Sequence, residues 1–105
     1  MPKVSRIPLD PQKARALHDV FCVVLGKLRS RDEIEEFVHG ILTATERKML
    51  AKRLAVAKML LDGKSYESIG REIKVTNVTI AHVQSLLRIR GEAWAKLLRK
   101  ITPAY

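Results

Sequence analysis

The sequence has little of what most catalytic or secreted chains need. Its 105 residues include a single cysteine, which excludes an internal disulfide and any zinc site built on several thiolates. Five residues are aromatic, too few for a surface that stacks successive unpaired bases. No apolar run approaches the roughly 20 residues that span a bilayer. Met1-Pro2-Lys3-Val4 begins no signal-peptide core, so a cytoplasmic location is expected. There is no glycine loop of the phosphate-cradling kind and no nucleophile elbow. His18, His39 and His82 lack metal-ligand spacing. Glu33, Glu35 and Glu36 read as a solvated helix face rather than paired acid and base. Cys22 reads as a small buried hydrophobe. The expectation is a soluble non-enzyme without metal or cofactor.

What is abundant is positive charge. Twenty Lys and Arg against eleven Asp and Glu give a net charge of +9, which points to an anionic partner, nucleic acid first. The charge is uneven. Residues 1–42 hold seven basic and six acidic side chains, and residues 43–105 hold thirteen and five. Anion binding therefore belongs to the later part of the chain.

Proline and glycine fall where boundaries are wanted. Residues 1–10, with Pro2 and Pro8, read as a flexible arm, and residues 11–105 as a helical domain. Asp10-Pro11 is a helix start. Ala14, Leu17, Phe21, Val24 and Leu28 then recur at helical spacing, predicting a helix over 11–28. Ser30 to Glu33 and Thr43 to Glu46 read as capping boxes that open two further helices. The second of these carries Leu50, Leu54, Ala57 and Leu61 on one face, widened by Met49, Val56 and Leu60. Gly63 suits a left-handed helix end. Two short helices at about 66–73 and 77–88 follow, and a last helix begins after Gly91. The β-branched run from Val75 to Ile80 is the one rival for a strand. The reading is an all-α fold, a six-helix bundle.

The stretch 66–88 fits a helix-turn-helix. Ile69 and Ile73 form the inward side of the first helix, Gly70 allows close approach, and Val75 plugs the turn. Ile80, Val83 and Leu87 anchor the second helix, with Ser65 and Thr76 as N-caps. Lys74 occupies the turn position where glycine is usual, at a cost of about 1 kcal/mol if left-handed. A turn of slightly different shape is therefore expected. If the second helix enters the major groove, Thr76, Asn77, Val78, Ala81, His82 and Ser85 face the bases. Asn77 can pair with adenine, Val78 and Ala81 can pack on thymine methyls, and Thr76 can bond a phosphate. Lys48, Lys52, Lys64, Arg71, Arg88 and Arg90 form a cationic rim. Within it Lys64, Arg71, Arg88 and Arg90 are the candidate phosphate contacts.

Ile41-Leu42-Thr43-Ala44-Thr45-Glu46-Arg47, Arg53, Leu60-Leu61-Asp62-Gly63-Lys64-Ser65 and Val78-Thr79-Ile80 resemble the tryptophan repressor family. Leu54-Ala55-Val56-Ala57-Lys58-Met59-Leu60, followed by Gly63-Lys64-Ser65-Tyr66, is similar to the YerC/YecD-type repressor-like proteins within it. The resemblance implies an interlocked homodimer of six-helix chains that binds operator DNA, with Asn77, Val78 and Ala81 at the bases. It also implies an effector pocket at Thr43, Arg53, Thr79 and His82. There the pattern departs from the family: His82 replaces an arginine, Val83 a glycine and Leu86 a serine. Room for tryptophan, or another small effector, is accordingly reduced.

A homodimer also has support from the residues themselves. Phe21, Val24, Leu25, Leu28, Phe37, Ile41 and Trp94 exceed what a short helix-turn-helix can cover, and a second subunit supplies the cover. The expected function is a sequence-specific double-stranded DNA-binding transcriptional regulator, a repressor reading operator half-sites. The alternative is a basic helical module that binds RNA or an acidic protein. An initiator-type origin binder is disfavoured, since no nucleotide-binding domain accompanies the unit.

Overall fold

In the computed structural model, residues 7–103 are described, and among them all regular structure is helical. Five helices follow in order: α1 (Pro11–Gly26), α2 (Arg31–Ile41), α3 (Ala44–Leu61), α4 (Tyr66–Ile73) and α5 (Asn77–Ile101). The Val75–Ile80 run forms no strand; its second half opens α5. A helical arm begins after Gly91, as expected: Gly91 has φ 80° and ψ −167°, a non-helical conformation restricted to glycine, and α5 is two helical arms that meet at this kink. Of the expected arm, residues 1–6 lie outside the described part; residues 7–10 precede α1 without helical structure.

The chain divides into two compact units, one ending at Arg47 and one beginning at Lys48. The first unit is built by local rules. Asp10 caps α1 by accepting from the Lys13 N–H at 3.3 Å, with Pro11 in the first turn. Ser30 Oγ accepts from the Glu33 N–H at 3.1 Å, while Glu33 reaches back to the Arg29 N–H at 2.8 Å. Thr43 and Glu46 make the full reciprocal pair, at 3.1 and 2.8 Å. Arg47 Nη1 donates to the Leu42 carbonyl at 2.8 Å, tying the end of α2 to the start of α3. Phe21 and Phe37 bring their rings to 6.4 Å. Yet no residue of α1 or α2 is buried. Cys22 is exposed rather than buried, its Sγ 3.6 Å from His18 Nε2.

The second unit has a true core. Val56, Ala57, Met59, Ile69, Ile80, Val83 and Leu98 form it, with Leu60, Leu61, Tyr66, Ile73, Val75, Leu87 and Trp94 packed around them. Trp94, expected to need cover from another subunit, is half-buried on this core. The inward face of α3 also differs from expectation. Ala55, Val56, Ala57 and Met59 are buried, whereas Leu50 and Leu54 remain exposed. The helix is apolar on more than one side, so periodicity alone does not choose the face. The end of α3 follows the Schellman pattern: Gly63 at φ 81° donates to the Leu60 carbonyl, and the Lys64 N–H to the Met59 carbonyl, both at 3.0 Å.

The α4–α5 turn keeps a left-handed residue despite lacking glycine. Lys74 itself takes φ 61° and ψ 55°, and its N–H donates to the Gly70 carbonyl at 3.0 Å. Lys74 thus adopts the left-handed conformation itself, at a conformational cost of about 1 kcal/mol. Gly70 lies at a close approach: a Cβ there would stand 3.3 Å from the Val75 carbonyl oxygen, a tight contact. Ile80 lies at the centre of this packing. Ile80→Ala should cost about 2–5 kcal/mol, read as a lower midpoint in urea denaturation.

Candidate nucleic-acid interface

The packing of Ile69 against Ile80 and Val83 decides which side of α5 is left outside. Ile80 and Val83 are buried, so the opposite side of the first turns carries Asn77, Val78, Ala81 and His82, all exposed. Val78 is 79% exposed, an apolar β-branched side chain set into water at the leading end of the helix. Ser85, half-buried, stands one turn further along. Thr76 ends the turn and caps α5, its Oγ1 accepting from the Thr79 N–H at 3.3 Å and lying 3.2 Å from Thr79 Oγ1. Tyr66 donates its hydroxyl to Gln84 Oε1, a bond between α4 and α5 that sequence periodicity gave no sign of.

The cations fall into different circumstances. Arg88 Nη2 donates to Ser85 Oγ at 3.2 Å, which folds the guanidinium onto the outward side of α5 while leaving it further N–H groups. Arg71 and Glu67 face each other at 3.8 Å, both well exposed, an arrangement that contributes little and leaves Arg71 available. Lys64 and Arg90 are exposed, as is Lys48. Lys52, read from the sequence as a rim cation, has a structural task instead: its Nζ donates to the Lys74 carbonyl at 3.2 Å. No local spacing signals that contact, because it links residues on α3 and in the turn.

The candidate effector residues have different surroundings. Thr43 belongs to the first unit and is committed to the α3 cap. Arg53 is half-buried and borders a groove of about 220 Å³. The groove is otherwise apolar, with Leu50, Leu54, Val83, Leu86, Trp94 and Ile101 among its walls. Thr79 and His82 are exposed on α5 and do not line this groove. Among the described residues no group of three or more His, Cys, Asp or Glu is placed to hold a metal ion. No helix there is long and apolar enough to cross a membrane.

An all-helical chain whose second unit is a helix-turn-helix with an exposed, polar-edged second helix defines a structural class used by DNA-binding regulators. The Trp repressor protein family matches residues 16–102 of this chain, which covers α2 to α5 in full and most of α1. The chain belongs to the Trp repressor family, a family of DNA-binding regulators rather than of enzymes. It is also similar to the uncharacterized protein YerC of Bacillus subtilis (strain 168), at 29% identity over 93 residues, spanning 89% of this chain and 88% of that one. No solved structure matches it.

Because Val78 is outside the core, Val78→Ala should leave folding stability within about 0.5 kcal/mol of wild type. Thermal unfolding of the free protein checks this, and a loss comparable to that of Ile80→Ala would place Val78 inside.

Proposed function

We propose that this protein is a sequence-specific double-stranded DNA-binding transcriptional regulator, a homodimeric repressor that reads each operator half-site with the first turns of α5. The observation that carries the reading is the exposed Asn77–Val78 end of α5, backed by the buried Ile80 and Val83. A side chain that is apolar, rigid and open to water at this end suits a thymine methyl. Asn77 beside it offers the paired donor and acceptor that adenine accepts in the major groove. Ala81, His82 and Ser85 continue the reading edge, and Thr76 serves both as cap and, through its hydroxyl, as a hydrogen-bond donor to a DNA phosphate. Lys64, Arg71, Arg88 and Arg90 contact the backbone phosphates and set affinity. Membership of the Trp repressor family supports the same conclusion.

The homodimer rests on the first unit. Val20 and Val23 are more than half exposed, and Phe21, Leu25 and Ile41 are exposed with them. Two helices without a buried residue do not sustain themselves in water; interlocking with a second copy covers this surface and places two α5 reading edges on one duplex. Such a regulator works in the cytoplasm. Thr43, Arg53, Thr79 and His82 are the positions at which a small effector would act, and Val83 and Leu86 make the Arg53 groove a poor slot for an indole.

Binding is tested with a set of duplexes carrying single base changes in the preferred operator. Asn77→Ala should lose about 1–3 kcal/mol at one base position and relax the preference there, whereas Arg88→Ala should weaken all sequences alike. Equal losses everywhere for Asn77→Ala would remove it from base reading. Structured RNA that competes as well as duplex DNA would favour a basic RNA-binding module instead. Sedimentation equilibrium should give twice the 11.9 kDa chain mass; a stable monomer at micromolar concentration contradicts the interlocked dimer.

A further inference from the structure

We propose that Lys74 is a DNA-phosphate contact, a cation that the chain keeps in the helix-turn-helix turn in spite of the strained backbone it must adopt there. This rests on the duplex-DNA reading above. Lys74 is the one non-glycine residue with positive φ among the described residues. Its backbone has two duties, and neither needs a side chain. The N–H donates to the Gly70 carbonyl, and its own carbonyl accepts from Lys52 Nζ. Glycine would perform both with less strain, and asparagine is the next residue that the conformation favours. The backbone therefore gives no reason for lysine, and strain that persists where an easier residue exists points to a use for the side chain.

The use is indicated by what surrounds it. Lys74 is exposed, and its ammonium has no hydrogen bond or ion pair among the described residues. It stands two positions before Thr76, the cap of α5, and so beside the Asn77–Val78 end that enters the groove. A helix lying in the major groove has a phosphate strand on either side. A compact charge on a long flexible stem, next to the leading end of that helix, is suited to one of those phosphates. Lys52, bonded to the Lys74 carbonyl, holds the strained turn from the α3 side and adds its own positive charge nearby.

The experiment compares wild type, K74G, K74N and K74R by thermal unfolding and by binding to duplex DNA between 50 and 200 mM salt. K74G should unfold at the same temperature or higher, since glycine accepts the turn conformation. Its slope of log K against log salt should be shallower by about one per subunit, so that its deficit at 50 mM shrinks by about tenfold at 200 mM in a dimer. The loss should be equal across sequences, shared by K74N, and absent from K74R. Wild-type affinity and slope in K74G, with wild type binding duplex normally, would overturn this inference alone. A lower unfolding temperature for K74G would also overturn it, because the side chain would then be supporting the fold. Wild type that fails to bind duplex would overturn both this inference and the function on which it rests.

Discussion

The contact on which the rest depends is Ile69 of α4 against Ile80 and Val83 of α5, across a turn only three residues long. All three side chains are buried, and so tight a connection leaves the chain one way to bring them together. Gly70 gives the space, Lys74 the left-handed bend, and Thr76 the restart of helix. Once the inward residues are set, the outward ones follow from the helical repeat: Asn77, Val78, Ala81 and His82 have nowhere else to go. The candidate reading edge is in that sense a by-product of a hydrophobic wedge.

The two units differ in what holds them. The later unit buries a core of its own around Met59, Val56 and Leu98, and it also holds most of the excess positive charge. The earlier unit has well-made caps and an aromatic contact, but no residue of its two helices is buried, and Leu17, Val20, Phe21, Val23 and Ile41 are exposed. Capping decides where a helix starts; it does not supply the burial that keeps a helix folded. In the proposed homodimer, a second copy supplies that burial and sets two α5 edges at a spacing that matches a duplex.

Much of this was legible along the chain. Asp10-Pro11, Ser30, Thr43, Ser65 and Thr76 begin helices as their side-chain chemistry predicts, because a cap is a bond between residues three apart. Ile69, Ile80 and Val83 were readable as the inward set for the same reason: short helices with few apolar residues leave little choice. Other features were not. Leu50 and Leu54 pattern like core residues and are exposed, since α3 is apolar around much of its circumference. Cys22, expected to be buried, is exposed. The break at Gly91, by contrast, was readable, since Gly91 takes a non-helical conformation that separates the two arms of α5.

The sequence by itself determined the helical class, the helix starts, the wedge residues and the cationic bias, all of which depend on neighbours within a turn or two or on composition. Only the tertiary structure decided that Lys52 braces the turn, that Tyr66 bonds to Gln84, that Arg88 lies against Ser85, and that Lys74 bears the strain of the bend. Three of these four turn on directions in space: how two helices cross, and which φ a residue is obliged to adopt. Arg88 and Ser85 are close in sequence, but their meeting depends on which rotamer the guanidinium takes. Residue order carries no direct record of such geometry, because it is fixed by the packing of elements distant along the chain.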